Sequence, residues 1–119
     1  MGRRGKNVDE QQVATHARQF AALGAEPRLR ILRLLLAAHP SGMVAGEIQS
    51  ELGIPASTLS HHLEKLRAEG LVKPRREGPF LWYSASTEGL GELVRFLYAE
   101  CCTRNRAIEP TVIFERKQA

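Results

Sequence analysis

The sequence predicts a mainly α-helical domain with one β-hairpin, in the order α-α-α-α-β-β-α. Apolar residues recur at intervals of three and four along much of the chain, which is typical of amphipathic helices. Gly24, Gly53 and Gly70 each follow such a segment, at the position where a glycine commonly ends a helix. Two short apolar and aromatic segments flank Gly78-Pro79, as the strands of a hairpin flank their turn.

Length and composition fit one domain with its own core, since 43% of the 119 residues are hydrophobic. No apolar run approaches the roughly 20 residues of a membrane span, and no signal-like stretch follows the basic start, so we expect a cytoplasmic protein without a membrane partner. The formal charge is +4, and between Lys65 and Arg76 five residues are basic and one is acidic. This local excess can neutralise phosphates, which favours a nucleic-acid partner.

The first two helices precede a Pro- and Gly-containing turn. Residues 1–7 are Gly-rich, basic and unpatterned, and we expect them to form a flexible arm. A helical apolar period runs from Val8 to Leu23. Pro27 suits the first turn of a second helix, which is apolar nearly all round and is therefore expected to be buried. Residues 39–42, His-Pro-Ser-Gly, end it.

The third and fourth helices are joined by a tight turn. Apolar residues four apart predict a helix over about Val44 to Leu52, and Pro55 opens another over about Ala56 to Glu69. The fourth helix has a leucine stripe formed by Leu59, Leu63 and Leu66. Two helices that meet across a short turn containing Gly53 form a helix-turn-helix.

A hairpin and a long helix complete the domain. The hairpin strands cover Leu71–Arg76 and Phe80–Ser84, and Pro74 places its strand at a sheet edge. Thr87 is expected to cap the last helix, which is predicted to carry the cysteine pair Cys101-Cys102. A hairpin directly after a helix-turn-helix is the wing of a winged helix-turn-helix. The predicted divisions are the arm at 1–7, the domain at 8–106 and a C-terminal tail at 107–119.

The fourth helix is the candidate DNA-reading element. Opposite its leucines it presents hydroxyl, imidazole and ammonium groups, on Ser57, Thr58, Ser60, His61 and Lys65. Such groups can bond base edges or phosphates when the helix enters the major groove. The alternative is that Ser57 and Thr58 only start the helix and that the remaining side chains are solvated. His62 lies closer to the leucine stripe, so we expect it to pack. Arg75 and Arg76 flank the wing turn and are expected to contact the minor groove or phosphates.

These segments resemble the ArsR/SmtB family of winged-helix metalloregulators. The resemblance covers about Phe20 to Ser86 and is carried by ALGAEPRLRILRLLL and by ELGIPASTLSHHLEKLRAEGLVKPRREGPFLWYSAS. It implies a homodimer that binds an inverted-repeat operator in double-stranded DNA and dissociates when a metal or metalloid binds. It also implies a dimer interface formed by the first and last helices, around Val13–Leu23 and Leu90–Cys101.

The inducer is inferred from cysteines and histidines. The family's arsenic sensors carry a cysteine pair in the third helix, but Glu51–Pro55 contains none, and the last helix lacks the histidine that zinc sensors of the family use. The thiols of Cys101 and Cys102 remain as candidate ligands. Related arsenic-responsive members add a third cysteine, but Arg106–Ile108 contains none. Two thiolates complete the coordination of a trivalent organoarsenical such as methylarsenite. Inorganic arsenite or antimonite, which prefers three thiolates, ranks second, and Hg(II) or Cu(I) third.

Several other interpretations stay open. The cysteines could instead support a redox-sensing repressor or pack as small apolar residues. The domain could also bind proteins and no DNA. We expect no catalysis, because the sequence has no Gly-rich phosphate loop, no paired His-Glu metal motif and no nucleophile elbow. We also expect no resident cofactor, so that a trivalent arsenical, As(III), acts only as an inducer.

Overall fold

The computed structural model describes residues 2–101 and 103–104, and the side chains of residues 10–101 and 103–104. This part of the chain forms a winged helix-turn-helix, as the sequence predicts. Its helices and strands are α1 (Gly2–Leu23), α2 (Glu26–Ala37), β1 (Met43–Val44), α3 (Ala45–Leu52), α4 (Ala56–Ala68), β2 (Val72–Glu77), β3 (Phe80–Ala85) and α5 (Thr87–Ala99). The strands form an antiparallel sheet in the order β1-β3-β2.

The first helix begins earlier than the sequence pattern predicts. Helix α1 starts at Gly2, so residues 2–7 are helical ahead of the apolar period that begins at Val8, and the flexibility expected of the arm stays a prediction. The apolar period shows which residues share a face, but extending an existing helix needs no apolar face. Arg3, Arg4 and Lys6 are good helix formers, which offsets part of the cost of the glycines, and extending an existing helix avoids the cost of nucleation. The predicted tail at 107–119 lies outside the described residues.

The predicted element order omits strand β1. Met43 pairs with Tyr83 and Val44 with Trp82, so this strand lies beside β3 and α3 begins one residue later than expected. A strand of two residues is too short to show an alternating pattern. Gly42, with φ of 82°, allows the close approach, since an added Cβ would collide with the backbone carbonyl of Tyr83. Strand β2 is at a sheet edge, as Pro74 predicts.

The core lies between the helices and one face of the sheet. Its buried members come from most of the elements: Ala22, Ile31, Leu32, Leu35, Ile48, Leu59, Leu63, Leu66, Leu71, Val72 and Ala85. The expectation that α2 is buried nearly all round is wrong for Leu29 and Leu36, which are exposed. Helix α2 packs against α1, α3, α4 and β3, and these neighbours leave one side of it facing outward.

Helix α5 begins and ends differently from the prediction. Ser86, not Thr87, caps it, because the buried Ser86 hydroxyl accepts a hydrogen bond from the Gly89 amide at 3.1 Å. The helix ends at Ala99, and the Cys101 amide donates to the Tyr98 carbonyl at 2.8 Å in a tighter turn. Cys101 therefore follows the helix, and the prediction that the helix carries it is wrong. Cys102 lies outside the described residues.

Candidate nucleic-acid interface

Helix α4 has one face in the core and the other in solvent. Leu59, Leu63 and Leu66 are buried, which fixes the orientation of the helix. The structure brings all five predicted contact residues of this helix to its solvent side, where they are exposed: Ser57, Thr58, Ser60, His61 and Lys65. The geometry therefore offers a polar helix face to a groove, and contact of each side chain with DNA stays a prediction.

The first turn of α4 has no side-chain cap. The N-cap residue is Pro55, which has no side-chain hydrogen-bonding group, and neither Ser57 nor Thr58 occupies the capping position. The alternative that these two hydroxyl residues only start the helix is therefore weakened, because neither of them caps it. The first amides of a helix have no partner within it, and together with the helix dipole they favour a phosphate. This end of α4 is suited to the DNA backbone as well as to bases.

His62 packs inward, as the sequence predicts, whereas His61 points outward. The half-buried His62 places Nδ1 3.3 Å from Nη1 of Arg28, and the Nε of Arg28 donates to the Ala22 carbonyl at 2.6 Å. Sequence reasoning missed Arg28, although a charged residue near the start of an apolar helix is a signal. Partial burial, followed by the charge of Arg28 and by His61, lowers the pKa of His62.

The lowered pKa of His62 predicts a loss of stability in mild acid. Below its ordinary pKa of 6.5, the unfolded chain binds a proton at this residue more readily than the folded chain. The free energy of unfolding should therefore fall as pH decreases from 7 toward 5, and it should fall less in His62→Gln. Urea unfolding at a series of pH values measures this difference. An equally steep decline in both proteins would contradict it.

The two arginines of the wing lie in different environments. Arg75 donates from Nε to Glu77 at 2.9 Å and from Nη1 to the Ser41 carbonyl at 3.3 Å, and its guanidinium lies 5.4 Å from the centre of the Trp82 ring. Neighbouring strand residues point to opposite faces, so Arg76 lies on the other side, where it is exposed. From the sequence alone, the same contacts with DNA were expected of both arginines. In the structure Glu77 neutralises Arg75, and Arg76 is the more available for a phosphate.

Helices α1 and α5 expose apolar residues in the single chain. Among the described large apolar residues of these two helices, Leu97 is exposed most, at 61%, followed by Val13 at 53%. Phe20 and Val94 are also exposed. The apolar period of α1 thus marks an outward face. This is the surface that the resemblance assigned to the dimer interface.

A chain of contacts connects α5 to the end of α4. The ring of His16 on α1 lies 4.4 Å from that of Phe96 on α5, centre to centre. His16 Nδ1 is 2.7 Å from Oε1 of Gln19, which is 8% exposed, and Gln19 Nε2 donates to the Glu69 carbonyl at 2.9 Å. Glu69 is the C-cap of α4. Sequence reasoning missed Gln19.

The candidate sensor residues are only partly described. Cys101 is half-buried in the turn after α5, and Cys102 lies outside the described residues. Two open cavities of about 440 and 400 Å³ lie nearby, both lined by Phe96 and Ala99. Within the described ranges, no group of three His, Cys, Asp or Glu side chains is placed to hold a metal ion. The assignment of both cysteines as ligands stays a prediction.

Sequence comparisons relate the chain to transcriptional regulators. A family model described as a helix-turn-helix domain matches residues 23–75. An HTH-type transcriptional regulator of Methanocaldococcus jannaschii is 37% identical over 66% of this chain and 85% of the relative. The transcriptional activator HlyU of Vibrio cholerae is 34% identical over 71% and 76%. ArsR2 of Halobacterium salinarum, named as an arsenical resistance operon repressor, is 31% identical over 65% and 64%.

Solved structures identify the family. An ArsR-like transcriptional regulator from Rhodococcus sp. RHA1 has a TM-score of 0.68 and 25% identity, over 91% of this chain and 90% of that one. A homodimeric winged helix-turn-helix domain from Mycobacterium bovis, described as a possible ArsR-family transcriptional regulator, has a TM-score of 0.61 and 32% identity, over 76% of this chain and 84% of that one. The chain belongs to the ArsR/SmtB family.

Membership of the ArsR/SmtB family makes the protein a DNA-binding transcriptional regulator. The relatives named above are regulators, in agreement with the expectation that the chain is not an enzyme. Among the residues that the structure describes, no helix has the length and apolar character needed to cross a bilayer.

Proposed function

We propose that this ArsR/SmtB protein is a homodimeric repressor that a trivalent organoarsenical such as methylarsenite releases from an inverted-repeat operator. Cys101 and Cys102 bind the inducer. The observation that carries the proposal is the position of this cysteine pair, directly after α5, the helix that exposes apolar residues beside α1. A ligand there is in a position to affect both the dimer and the DNA-reading helices.

The exposed apolar surface supports the homodimer. Val13, Phe20, Val94 and Leu97 leave a large apolar area of α1 and α5 in water, and such an area commonly marks an interface. A second copy of the chain would cover it with the same residues in a symmetric contact. The related domain from Mycobacterium bovis is itself a homodimer. Two copies present two α4 helices, and recognition helices of such dimers read half-sites about 34–36 Å apart.

The donor set supports an arsenical with two open positions. Adjacent Cα atoms are about 3.8 Å apart, so both sulfurs can reach one arsenic atom. With methylarsenite, two S–As bonds form, two As–O bonds break, and the thiol protons leave with the hydroxyl groups as water. The methyl group occupies the third position, so no further protein ligand is needed. The relative named as an arsenical resistance operon repressor supports the same chemical class.

The contacts between α5 and α4 supply a route for release. Phe96 lies five residues before Cys101, and its ring contacts His16, which is joined through Gln19 to the Glu69 carbonyl. A shift of the end of α5 would move this chain of contacts and tilt α4. Couplings between two sites are typically about 1–3 kcal/mol, or 5- to 150-fold in affinity. A tilt in each protomer changes the spacing of the two α4 helices and costs groove contacts in both half-sites.

Side-by-side titrations test the proposal. The reduced full chain is bound to a fluorescent duplex selected from a randomised pool, and methylarsenite and arsenite are added to separate samples. We expect methylarsenite to release the duplex at the lower concentration and to weaken binding by at least about fivefold at saturation. An equal or better response to arsenite would remove the organoarsenical preference. Release by peroxide, with no response to either arsenical, would assign the cysteines to redox sensing.

A further inference from the structure

Phe80 is a large aromatic residue left in solvent at the tip of the wing. It is the first residue of β3, directly after the turn Gly78-Pro79, and 58% of its surface is exposed. Among the side chains that the structure describes, the other large exposed apolar ones lie on α1, α2 and α5. Phe80 therefore belongs to a different surface from the proposed dimer interface.

The surroundings of Phe80 combine aromatic rings with cations. Trp82 is two residues along β3 and so lies on the same face as Phe80, and its cross-strand partner Arg75 stacks over it at 5.4 Å. Exposed Arg76, one residue pair from the tip, lies on the other face of β2. Because Glu77, opposite Phe80, is paired with Arg75, the carboxylate at the tip is compensated. A basic aromatic tip suits a polyanion better than an apolar protein surface.

The wing tip is also connected to the DNA-reading helix through a short link. Strand β2 begins at Val72, four residues after α4 ends at Ala68. Two of the core residues at this junction, Leu71 and Val72, are fully buried, so the wing is fixed relative to α4. Because the hairpin is fixed beside α4, it would lie next to the major groove that α4 occupies, and the adjacent groove of a B-form duplex is the minor groove.

We propose that Phe80 is an apolar DNA contact that enters the minor groove beside each half-site. Its ring packs against deoxyribose edges and one base step, while Arg76 binds a flanking phosphate. Apolar side chains of this type act as wedges between base pairs at steps that deform easily. With Phe80 in place, the affinity for DNA therefore depends on the flexibility of that base-pair step, although no polar side chain contacts its bases. The proposal rests on operator binding as described above and adds a determinant of specificity to it.

Salt dependence separates this contact from an electrostatic one. Affinity for the selected duplex is measured across salt concentrations for wild type, Phe80→Ala, Phe80→Leu and Arg76→Ala. We expect Phe80→Ala to bind about 5- to 50-fold more weakly with an unchanged slope of log K against log salt, and Phe80→Leu to lose less. Arg76→Ala should reduce the slope by about 0.9 per phosphate contact. Since Phe80 is exposed, thermal unfolding of its variants should match wild type.

Step substitution and footprinting locate the contact. Two duplexes are compared that carry either a flexible pyrimidine–purine step or a stiff A-tract at the position under the wing. The A-tract should weaken DNA binding by the wild type and have little effect on binding by Phe80→Ala. Hydroxyl-radical footprints should show minor-groove protection outside the half-sites that Phe80→Ala lacks. Wild-type affinity of Phe80→Ala at every salt concentration would overturn the proposal and leave operator binding intact, and would then favour a protein partner for the tip. Failure of the wild type to bind any selected duplex would overturn operator binding itself.

Discussion

Replacing Ser60 and His61 together by alanine should weaken operator binding by about 100-fold and leave the fold unchanged. Both side chains are exposed on the side of α4 opposite its buried leucines. A base-reading contact contributes roughly 1–3 kcal/mol, so the loss of two costs about 2–6 kcal/mol, and a weakening of about 100-fold lies near the lower end of that range. Alanine is the best helix former, and neither side chain belongs to the core, so the helix should persist.

The matched control for this double variant uses the same residue types outside α4. His39→Ala with Ser41→Ala removes one imidazole and one hydroxyl from the exposed loop after α2. Fluorescence anisotropy with the selected duplex should show near wild-type affinity for the control. Circular dichroism and sedimentation would verify the fold and the oligomeric state of both variants. Wild-type affinity of the Ser60/His61 variant, in a correctly assembled protein, would overturn the assignment of α4 as the reading helix.

Lys65 is the residue of the exposed α4 face whose contribution to DNA binding is expected to be electrostatic. It is exposed on α4 about one turn beyond His61, and its ammonium is expected to contact a phosphate and no base. Lys65→Ala should weaken binding by nearly the same factor for every duplex sequence. The Ser60/His61 variant should instead lose discrimination between the selected duplex and a scrambled one. The ratio of the two affinities therefore distinguishes base reading from backbone binding.

The sequence predicted the position and the buried face of α4 well because the signals there are local. The spacing of Leu59, Leu63 and Leu66 sets the buried face of α4, and Gly53 and Pro55 set where the helix starts. The contact face follows directly, since it is the side that the leucines leave. Pro74 likewise indicated an edge strand from its own missing amide hydrogen.

The remaining features depend on contacts that local patterns do not encode. His62 meets Arg28 across 34 positions, and Gln19 reaches the Glu69 carbonyl across 50. On α1 the apolar period marks the outward side while polar Gln19 is buried, because periodicity identifies a face but not what covers it. Two-residue β1 is recognised only through its partner strand. The pairing of Arg75 with Glu77, by contrast, was readable, since residues two apart on a strand share a face.

Replacing both Cys101 and Cys102 by serine should abolish the response to methylarsenite while DNA affinity stays within about twofold of wild type. Serine keeps the size and polarity of the side chain but lacks the soft donor that trivalent arsenic requires. Both residues follow α5 in the sequence and neither belongs to α4, so the residues of the reading face are not altered. Duplex release by methylarsenite, followed by anisotropy, should need at least about 100-fold more arsenical. Single variants should behave nearly like the double one, because one thiolate cannot close the two-sulfur site.

A variant at Gln19 separates binding of the arsenical from release of DNA. Gln19→Met keeps the length of the buried side chain but removes the donor to the Glu69 carbonyl and the acceptor for His16. Thiol titration should show that methylarsenite still consumes both cysteines of this variant, whereas duplex release should be several-fold weaker than in wild type. If methylarsenite still released the duplex fully from Gln19→Met, the coupling between the cysteines and α4 would run through the dimer contacts alone. Release by the doubly substituted serine variant would exclude the cysteines as the sensor, because no thiol would then remain in the chain.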